Sequence, residues 1–362
     1  MPIPEKLIVA FVVVLITYLQ ATTSFFILGP ALGGWTSLLA QKILLPLNVT
    51  LISIYVNYYL ACKTDPGHVP DNWEPPSVIL NSEPFLHLGI SGPRYCHKCE
   101  CFKPPRSHHC KQCGVCVLKM DHHCPWIGNC VGFGNYSYFI RFIFSVIICC
   151  TYGCYLLLWR LQRIFDARKN SWYSPQPTTI EFILVMLNIT ILCLVILLVG
   201  VLAVYHTYCL FTGQTTIEGS ERRKTKRLIR RRKIDFFDYP FDLGFYRNIC
   251  SVLGDNPILW PWPAPSPGNG VQFAVKQNTD PLMAYYWPPK VQADIMPETE
   301  WESQRLVRRD SEGYLVKEIT LEDRIEMLQQ ENCFEQEEVM ESEIQYCDSD
   351  SEGSDMTDYE LE

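Results

Sequence analysis

The chain has 362 residues, of which 48% are hydrophobic and 17 are cysteine, and a formal net charge of −8 at pH 7. Both the apolar and the acidic residues are unevenly placed, and that placement excludes a single soluble globular domain. The apolar residues collect in four long stretches, while the segment from residue 291 onward holds 23 acidic against 5 basic residues, a difference of −18 that exceeds the charge of the whole chain.

In chain order the four stretches are 7–28, 43–61, 138–159 and 180–211, each near the roughly 20 apolar residues that cross a bilayer. The first is too long, and too poorly matched to a small-residue cleavage site, for a removable signal peptide. The last is nearly unbroken, reading ILVMLNITILCLVILLVGVLAV at its centre. Lysine and arginine in the flanking segments orient the set, because cytosolic loops carry the excess of positive charge. Residues 29–41 have none, whereas 62–135 carry Lys63, Arg94, Lys98, Lys103, Arg106, Lys111 and Lys119, and 222–233 carry a dense basic run. Both termini and the cysteine-rich segment are therefore expected to face the cytosol; the loop 161–179, with Arg163, Arg168 and Lys169, dissents but is outweighed. The cytosol keeps thiols reduced, so cysteine crowding there points to metal or catalysis rather than disulfides. The sequons at Asn48, Asn135 and Asn188 fall in spans or on the cytosolic side and are not expected to be glycosylated.

Asp65-Pro66-Gly67 follows the second stretch at once and reads as a helix-ending turn; the Pro-rich segment from 67 to 93 is expected to be irregular. Then eight cysteines and five histidines crowd into 96–130. A segment so polar cannot build an apolar core, and metal must take its place. Cys96/Cys99 and Cys110/Cys113 are CxxC knuckles, each followed about ten residues later by a histidine and seven after that by a cysteine. This gives two interleaved sets, Cys96, Cys99, His109, Cys116 and Cys110, Cys113, His123, Cys130, a pattern for two tetrahedral Zn²⁺ ions. With four protein ligands each, the ions are structural. Cys101 and Cys124 are left over. Cys124 follows Asp121-His122-His123, in which His122 is not used by metal; His122 can take the thiol proton and Asp121 can orient His122. One alternative makes Cys124 another ligand in a non-enzymatic, zinc-stapled membrane adaptor. A RING-type ubiquitin ligase has different ligand spacing and leaves no free cysteine beside a histidine. Nucleic-acid binding is not expected, since no finger-type helix separates the ligand pairs and the segment is tethered to a bilayer.

Beyond the fourth stretch, Thr215-Thr216-Ile217-Glu218 has the form of a helix cap. The basic run that follows reads as a contact with anionic lipid headgroups, with the phosphates of a CoA thioester as the alternative. An aromatic piece spans 236–262, and the acidic tail is expected to be disordered apart from a short helix around 321–330. The expected architecture is an all-α polytopic membrane protein: four transmembrane helices with a cytosolic, zinc-binding Cys-rich domain between helices 2 and 3. The expected divisions are 1–61, 62–137, 138–211, 212–270 and the tail 271–362.

Residues 96–137, above all DHHCPWIGNCVGFGNY, together with Asp65-Pro66-Gly67 and Thr215-Thr216-Ile217-Glu218, resemble the DHHC protein S-acyltransferases (palmitoyltransferases). The resemblance covers roughly residues 1–270. It implies that Cys124 is acylated by palmitoyl-CoA and passes the acyl group to cysteines of membrane-associated substrate proteins. It further implies an acyl cavity between the spans, with Trp126 near the thioester and Phe139, Phe142 and Cys149 along it. Thr215, Thr216 and Glu218 would clamp tail to core, and Asn248 would be a buried hydrogen-bonding residue of the tail. The aromatic piece and NPILWPWP are similar to the fungal endoplasmic-reticulum branch, whose substrate class includes chitin synthase; the Golgi membrane is the alternative location.

Overall fold

The computed structural model describes residues 4–80, 93–169, 178–234, 237–277 and 279–289. Within a second unit, Ala293–Glu362, one antiparallel strand pair is described, Val307–Arg309 with Leu315–Lys317; the expected helix at 321–330 lies outside the described residues.

Four helices are long and apolar enough to cross a membrane: α1 (Glu5–Ala31), α2 (Leu38–Lys63), α3 (Tyr136–Lys169) and α4 (Thr179–Phe211). Their sequences sort residues by face. In α4, Val185, Asn188, Leu192, Ala203 and His206 recur at helical spacing and are buried, while Leu197, Leu198, Val201 and Val204 are 63–72% exposed on the opposite side. A helix satisfies its own backbone groups, so such a face can meet hydrocarbon. Polar side chains inside the bundle pair across helices, as they must in lipid. Gln20 Nε2 donates to Asn48 Oδ1 at 2.8 Å, Ser53 meets Ser145 at 2.9 Å, and Asn188 Nδ2 donates to Thr22 Oγ1 at 2.7 Å. The last bond lies where α1 loosens into a π-helical stretch, Thr22–Leu28. Two of the three sequon asparagines thus serve as interhelical partners.

The third span differs from expectation at its end. The helix continues to Lys169 rather than stopping at Trp159, so the dissenting basic residues lie on its last turns instead of in a loop. Arg160 reaches across to Glu181 of α4 with an N–O separation of 2.6 Å, which joins the two helix ends electrostatically.

Between α2 and α3 the Cys-rich segment forms three small antiparallel hairpins, β1 (Tyr95–Cys96) with β2 (Cys101–Phe102), β3 (His108–Cys110) with β4 (Val115–Val117), and β5 (His122–Cys124) with β6 (Asn129–Val131). Asp65-Pro66-Gly67 docks them against the end of α2. Asp65 Oδ1 accepts from the Gly67 amide at 2.7 Å, Pro66 O from Gly134 N at 3.0 Å, and Gly67 O from Leu118 N at 2.9 Å. Gly67 sits at φ +99°, which a side chain would strain, and a Cβ at Gly134 would strike the Asp65 carbonyl.

After α4 come α5 (Thr216–Arg230) and α6 (Phe245–Leu253). Asn248 of α6 is buried; its Nδ2 donates to the Phe211 carbonyl at the end of α4 and to Asp242 Oδ1, both at 2.8 Å, and its Oδ1 accepts from Leu243 N at 2.9 Å. Part of 271–289, assigned above to the acidic tail, packs on the core. Phe273, Val275, Ala284 and Trp287 join Phe237, Tyr239 and Phe241 in one aromatic cluster, because acidity begins only near residue 291 and the preceding stretch still has apolar surface to bury.

Candidate active site and metal centres

The two ligand sets converge in space as their spacing predicts. In each, one donor atom per residue lies within 4.8 Å of all the others. His109 Nδ1 is 3.2, 3.6 and 4.0 Å from the sulfurs of Cys99, Cys96 and Cys116. His123 Nδ1 is 3.3, 3.5 and 3.6 Å from those of Cys113, Cys130 and Cys110. Tetrahedral zinc, with Zn–N of about 2.0–2.1 Å and Zn–S of about 2.3 Å, holds its nitrogen and sulfur ligands about 3.5 Å apart. Three thiols and one imidazole per site therefore fit zinc in both number and separation, and leave no open position for a substrate.

The hairpins explain how one short sequence makes two centres and a spare thiol. Every ligand of the second set lies 14 residues after its counterpart in the first, and the strand register repeats with it: His109 pairs with Cys116, His123 with Cys130. Carrying the repeat once more puts Cys124 in the position that Cys96 and Cys110 hold as the first cysteine of a knuckle. The matching second position is Ile127. With an apolar side chain there, a third set cannot close, and the Cys124 thiol lies outside both sets. Cys101 is also outside them.

Cys124 is buried against Phe139, Ile127 and Ile143, where the hairpin meets α3. His122 Nδ1 donates to Asp121 Oδ2 at 2.7 Å, which fixes the tautomer and leaves Nε2 for the thiol. Burial works against the His122 cation, but the hydrogen bonds to Asp121 and Cys124 outweigh it and push the imidazole up to about 9. A protonated His122 facing Cys124 favours the thiolate, the nucleophilic form of cysteine. Asp121 is 1% exposed and doubly held, its Oδ1 accepting from Thr216 N at 2.9 Å and its carbonyl from Thr216 Oγ1 at 2.5 Å.

The Thr215–Glu218 motif therefore has two roles at once. Thr215 and Glu218 form a reciprocal capping box that starts α5, and Thr216 carries that helix start onto Asp121. Glu218 is 1% exposed and forms a two-pronged ion pair with Arg106, Nε to Oε1 and Nη2 to Oε2, each at 2.7 Å. Tyr239 Oη donates to Glu218 Oε2 at 2.8 Å, and the Arg106 guanidinium stacks 4.6 Å from the centre of the Phe241 ring. Although burial raises the Glu218 carboxyl, Arg106 more than reverses this and holds it below the ordinary glutamate range.

The residues assigned to an acyl cavity separate. A cavity of about 80 Å³ lies among α1–α4, lined by Cys149, Cys150, Gly153, Leu47, Ile54 and Leu192 among others, but not by Phe139 or Phe142. Phe139 stands edge-on to His122 at 5.5 Å, and Phe142 packs on Tyr58 at 4.9 Å. Trp126 is 58% exposed, and its carbonyl accepts from Tyr58 Oη at 2.8 Å. Helical rise places Cys149 about 15 Å along α3 from Phe139, a little under three turns. Sequence reasoning missed Arg106, Tyr58, Tyr239 and His206. His206 is fully buried on α4, with its ring 6.0 Å from that of His122. A buried glutamate at a helix start demands a cation, and that was the one available signal, for Arg106.

The match to known proteins falls on this same architecture. Residues 90–223 match the family model described as DHHC palmitoyltransferase. The chain is 38% identical over 310 residues to Palmitoyltransferase PFA4 of Mycosarcoma maydis, covering 79% of this chain and 64% of that protein; it thus spans somewhat less than two thirds of this relative's length. It is 35% identical to Probable protein S-acyltransferase 16 of Arabidopsis thaliana, covering 64% of this chain and 80% of that protein. With Palmitoyltransferase pfa4 of Aspergillus fumigatus it shares 33% identity, covering 79% of this chain and 69% of the relative. The chain belongs to the DHHC palmitoyltransferase family.

Proposed function

We propose that this protein is an integral-membrane protein S-acyltransferase that uses Cys124 as its nucleophile and palmitoyl-CoA as its acyl donor. The observation that carries the reading is a thiol left out of two complete ligand sets and placed beside the His122–Asp121 pair. In the first step the Cys124 thiolate attacks the thioester carbonyl, the carbon–sulfur bond to CoA breaks, and the departing CoA thiolate takes the proton of His122. In the second step His122 accepts the proton of an acceptor cysteine, whose sulfur attacks the Cys124 thioester and releases the Cys124 thiolate. Asp121 keeps the imidazole aimed, and Thr216 keeps Asp121 aimed. Bound zinc supplies rigidity to the hairpins; Cys96, Cys99, His109 and Cys116 would hold one ion, and Cys110, Cys113, His123 and Cys130 the other. Nothing in the site favours a non-enzymatic adaptor.

The chemistry accounts for the membrane. CoA is water-soluble and its acyl chain is not, so the thiol must stand at the interface, with a hydrophobic space beneath it. Acceptors are membrane-associated proteins with cysteines at the cytosolic face, chitin synthase among them, and the proposed location is an endomembrane, the endoplasmic reticulum in particular, with both termini cytosolic. The exposed basic residues of α5, including Arg223, Lys224, Lys226 and Arg227, are suited to anionic headgroups.

The test is to incubate the purified chain with alkyne-palmitoyl-CoA and map the label. A hydroxylamine-sensitive adduct on the peptide containing Cys124 is expected; label confined to other peptides, or resistant to hydroxylamine, would refute the mechanism. Chain length gives a second expectation. Cys149→Trp puts an indole into a cavity of about 80 Å³ and should shift preference from long to shorter acyl donors, read as a change in the ratio of kcat/KM values across a chain-length series. An unchanged ratio would remove Cys149 from acyl selection.

A further inference from the structure

We propose that Glu5 is a positioning residue for the second metal centre, and that through it the first turn of α1 governs the strand carrying the nucleophile. This rests on reading the two Cys/His sets as zinc centres and goes beyond it. His123 turns Nδ1 toward the sulfurs of Cys110, Cys113 and Cys130, and its other nitrogen, Nε2, lies 2.8 Å from Glu5 Oε1. A metal-bound Nδ1 carries no proton, so the imidazole proton is on Nε2 and is donated to the Glu5 carboxylate. A carboxylate on the far nitrogen of a ligating histidine fixes its tautomer and ring orientation and raises its basicity toward the metal.

The first centre lacks this arrangement. Among the described residues, no hydrogen bond reaches the Nε2 of His109, whose Nδ1 is the sulfur-facing atom. Two centres of the same composition and register thus differ in one outer partner, and that partner comes from 118 residues away. The contact is also close to the chemistry. His123 sits in β5 between His122 and Cys124, so a rotation of its ring is felt by both reacting residues. The same end of α1 covers the loop after Cys124, where a Cβ at Gly128 would meet Val9 at 3.3 Å and Glu5 at 3.7 Å.

The experiment follows zinc rather than turnover. Full-length protein in detergent is challenged with excess EDTA, and the zinc remaining is measured against time by elemental analysis for wild type, Glu5→Ala and Glu5→Gln. For Glu5→Ala, one of two zinc ions per chain should leave about 10–100-fold faster than in wild type, while the other keeps its wild-type rate and serves as an internal control. Glu5→Gln retains an acceptor oxygen without the charge and should fall between. If both ions leave Glu5→Ala at wild-type rates, or both leave equally faster, the positioning role is wrong. A wild-type chain purified without zinc would instead overturn the metal reading on which it rests.

Discussion

Cys124→Ser is expected to abolish hydroxylamine-sensitive acylation of the chain and acyl transfer to acceptor proteins, while two zinc ions per molecule remain bound. Loss of activity alone would not distinguish a nucleophile from a zinc ligand; the pair of outcomes does. A serine hydroxyl is scarcely ionised near neutral pH and is a far weaker nucleophile than a thiolate, so transfer should fall by more than about 10⁴-fold. Zinc should be retained because Cys124 lies outside both four-residue sets. The contrasting variant is Cys130→Ser, one of the sulfurs around His123 Nδ1, which should lose zinc and folded protein together, since such metal binding is itself folding energy. Equal acyl labelling of wild type and Cys124→Ser would end the proposed mechanism, and zinc loss in Cys124→Ser would make it a ligand after all.

Arg106→Leu should destabilise the protein by about 3–5 kcal/mol, the usual cost of stranding one partner of a buried ion pair. Both members of this pair are nearly inaccessible, and the Glu218 carboxylate would be left with Tyr239 and the Thr215 amide but no cation. Removing both charges, as Arg106→Leu with Glu218→Leu, should restore part of the loss, because a buried charge costs more unpaired than absent. Thermal unfolding in detergent at neutral pH reads both variants, and a doubly substituted protein less stable than Arg106→Leu by the full cost again would argue against coupling. The sign with pH follows from the depressed Glu218 carboxyl. The folded value lies below that of the unfolded chain, near pH 4.3, so the pair's contribution is fully present above that range and is lost as acid takes the pH down through the folded value. The single Arg106→Leu variant should therefore show a shallower acid dependence than wild type. Activity per folded molecule should drop too, because Glu218 caps the helix whose first residue, Thr216, orients Asp121.

Some of this was legible because the signal was local or periodic. Span existence follows from apolar length alone, and the two metal sets follow from a spacing that repeats without error. Counting ligands leaves two thiols over, Cys101 and Cys124, and only Cys124 stands in sequence beside an uncommitted histidine and a carboxylate, His122 and Asp121. What the sequence hid were partners separated by long stretches of chain. Arg106 and Glu218 are 112 residues apart, and Thr216 and Asp121 are 95 apart. Nothing in the helix cap at Thr215 announces that its neighbour, Thr216, holds Asp121. The third span's end was misplaced because basic residues that read as a loop continue the helix, where Arg160 reaches Glu181 and Arg168 lies over the Phe182 ring. Likewise the aromatic residues of 271–289 look like the start of a tail until Phe237 and Tyr239 are folded against them.

By itself, then, the sequence determined a four-span membrane chain, two closed Cys/His centres and an uncommitted cysteine, Cys124, next to an uncommitted histidine, because hydropathy and ligand spacing are properties of short segments. Only the tertiary structure decided what orients that cysteine's partners, which helix reaches the second centre, and where among the helices an empty volume remains, because each depends on groups that only folding brings within a hydrogen bond of one another.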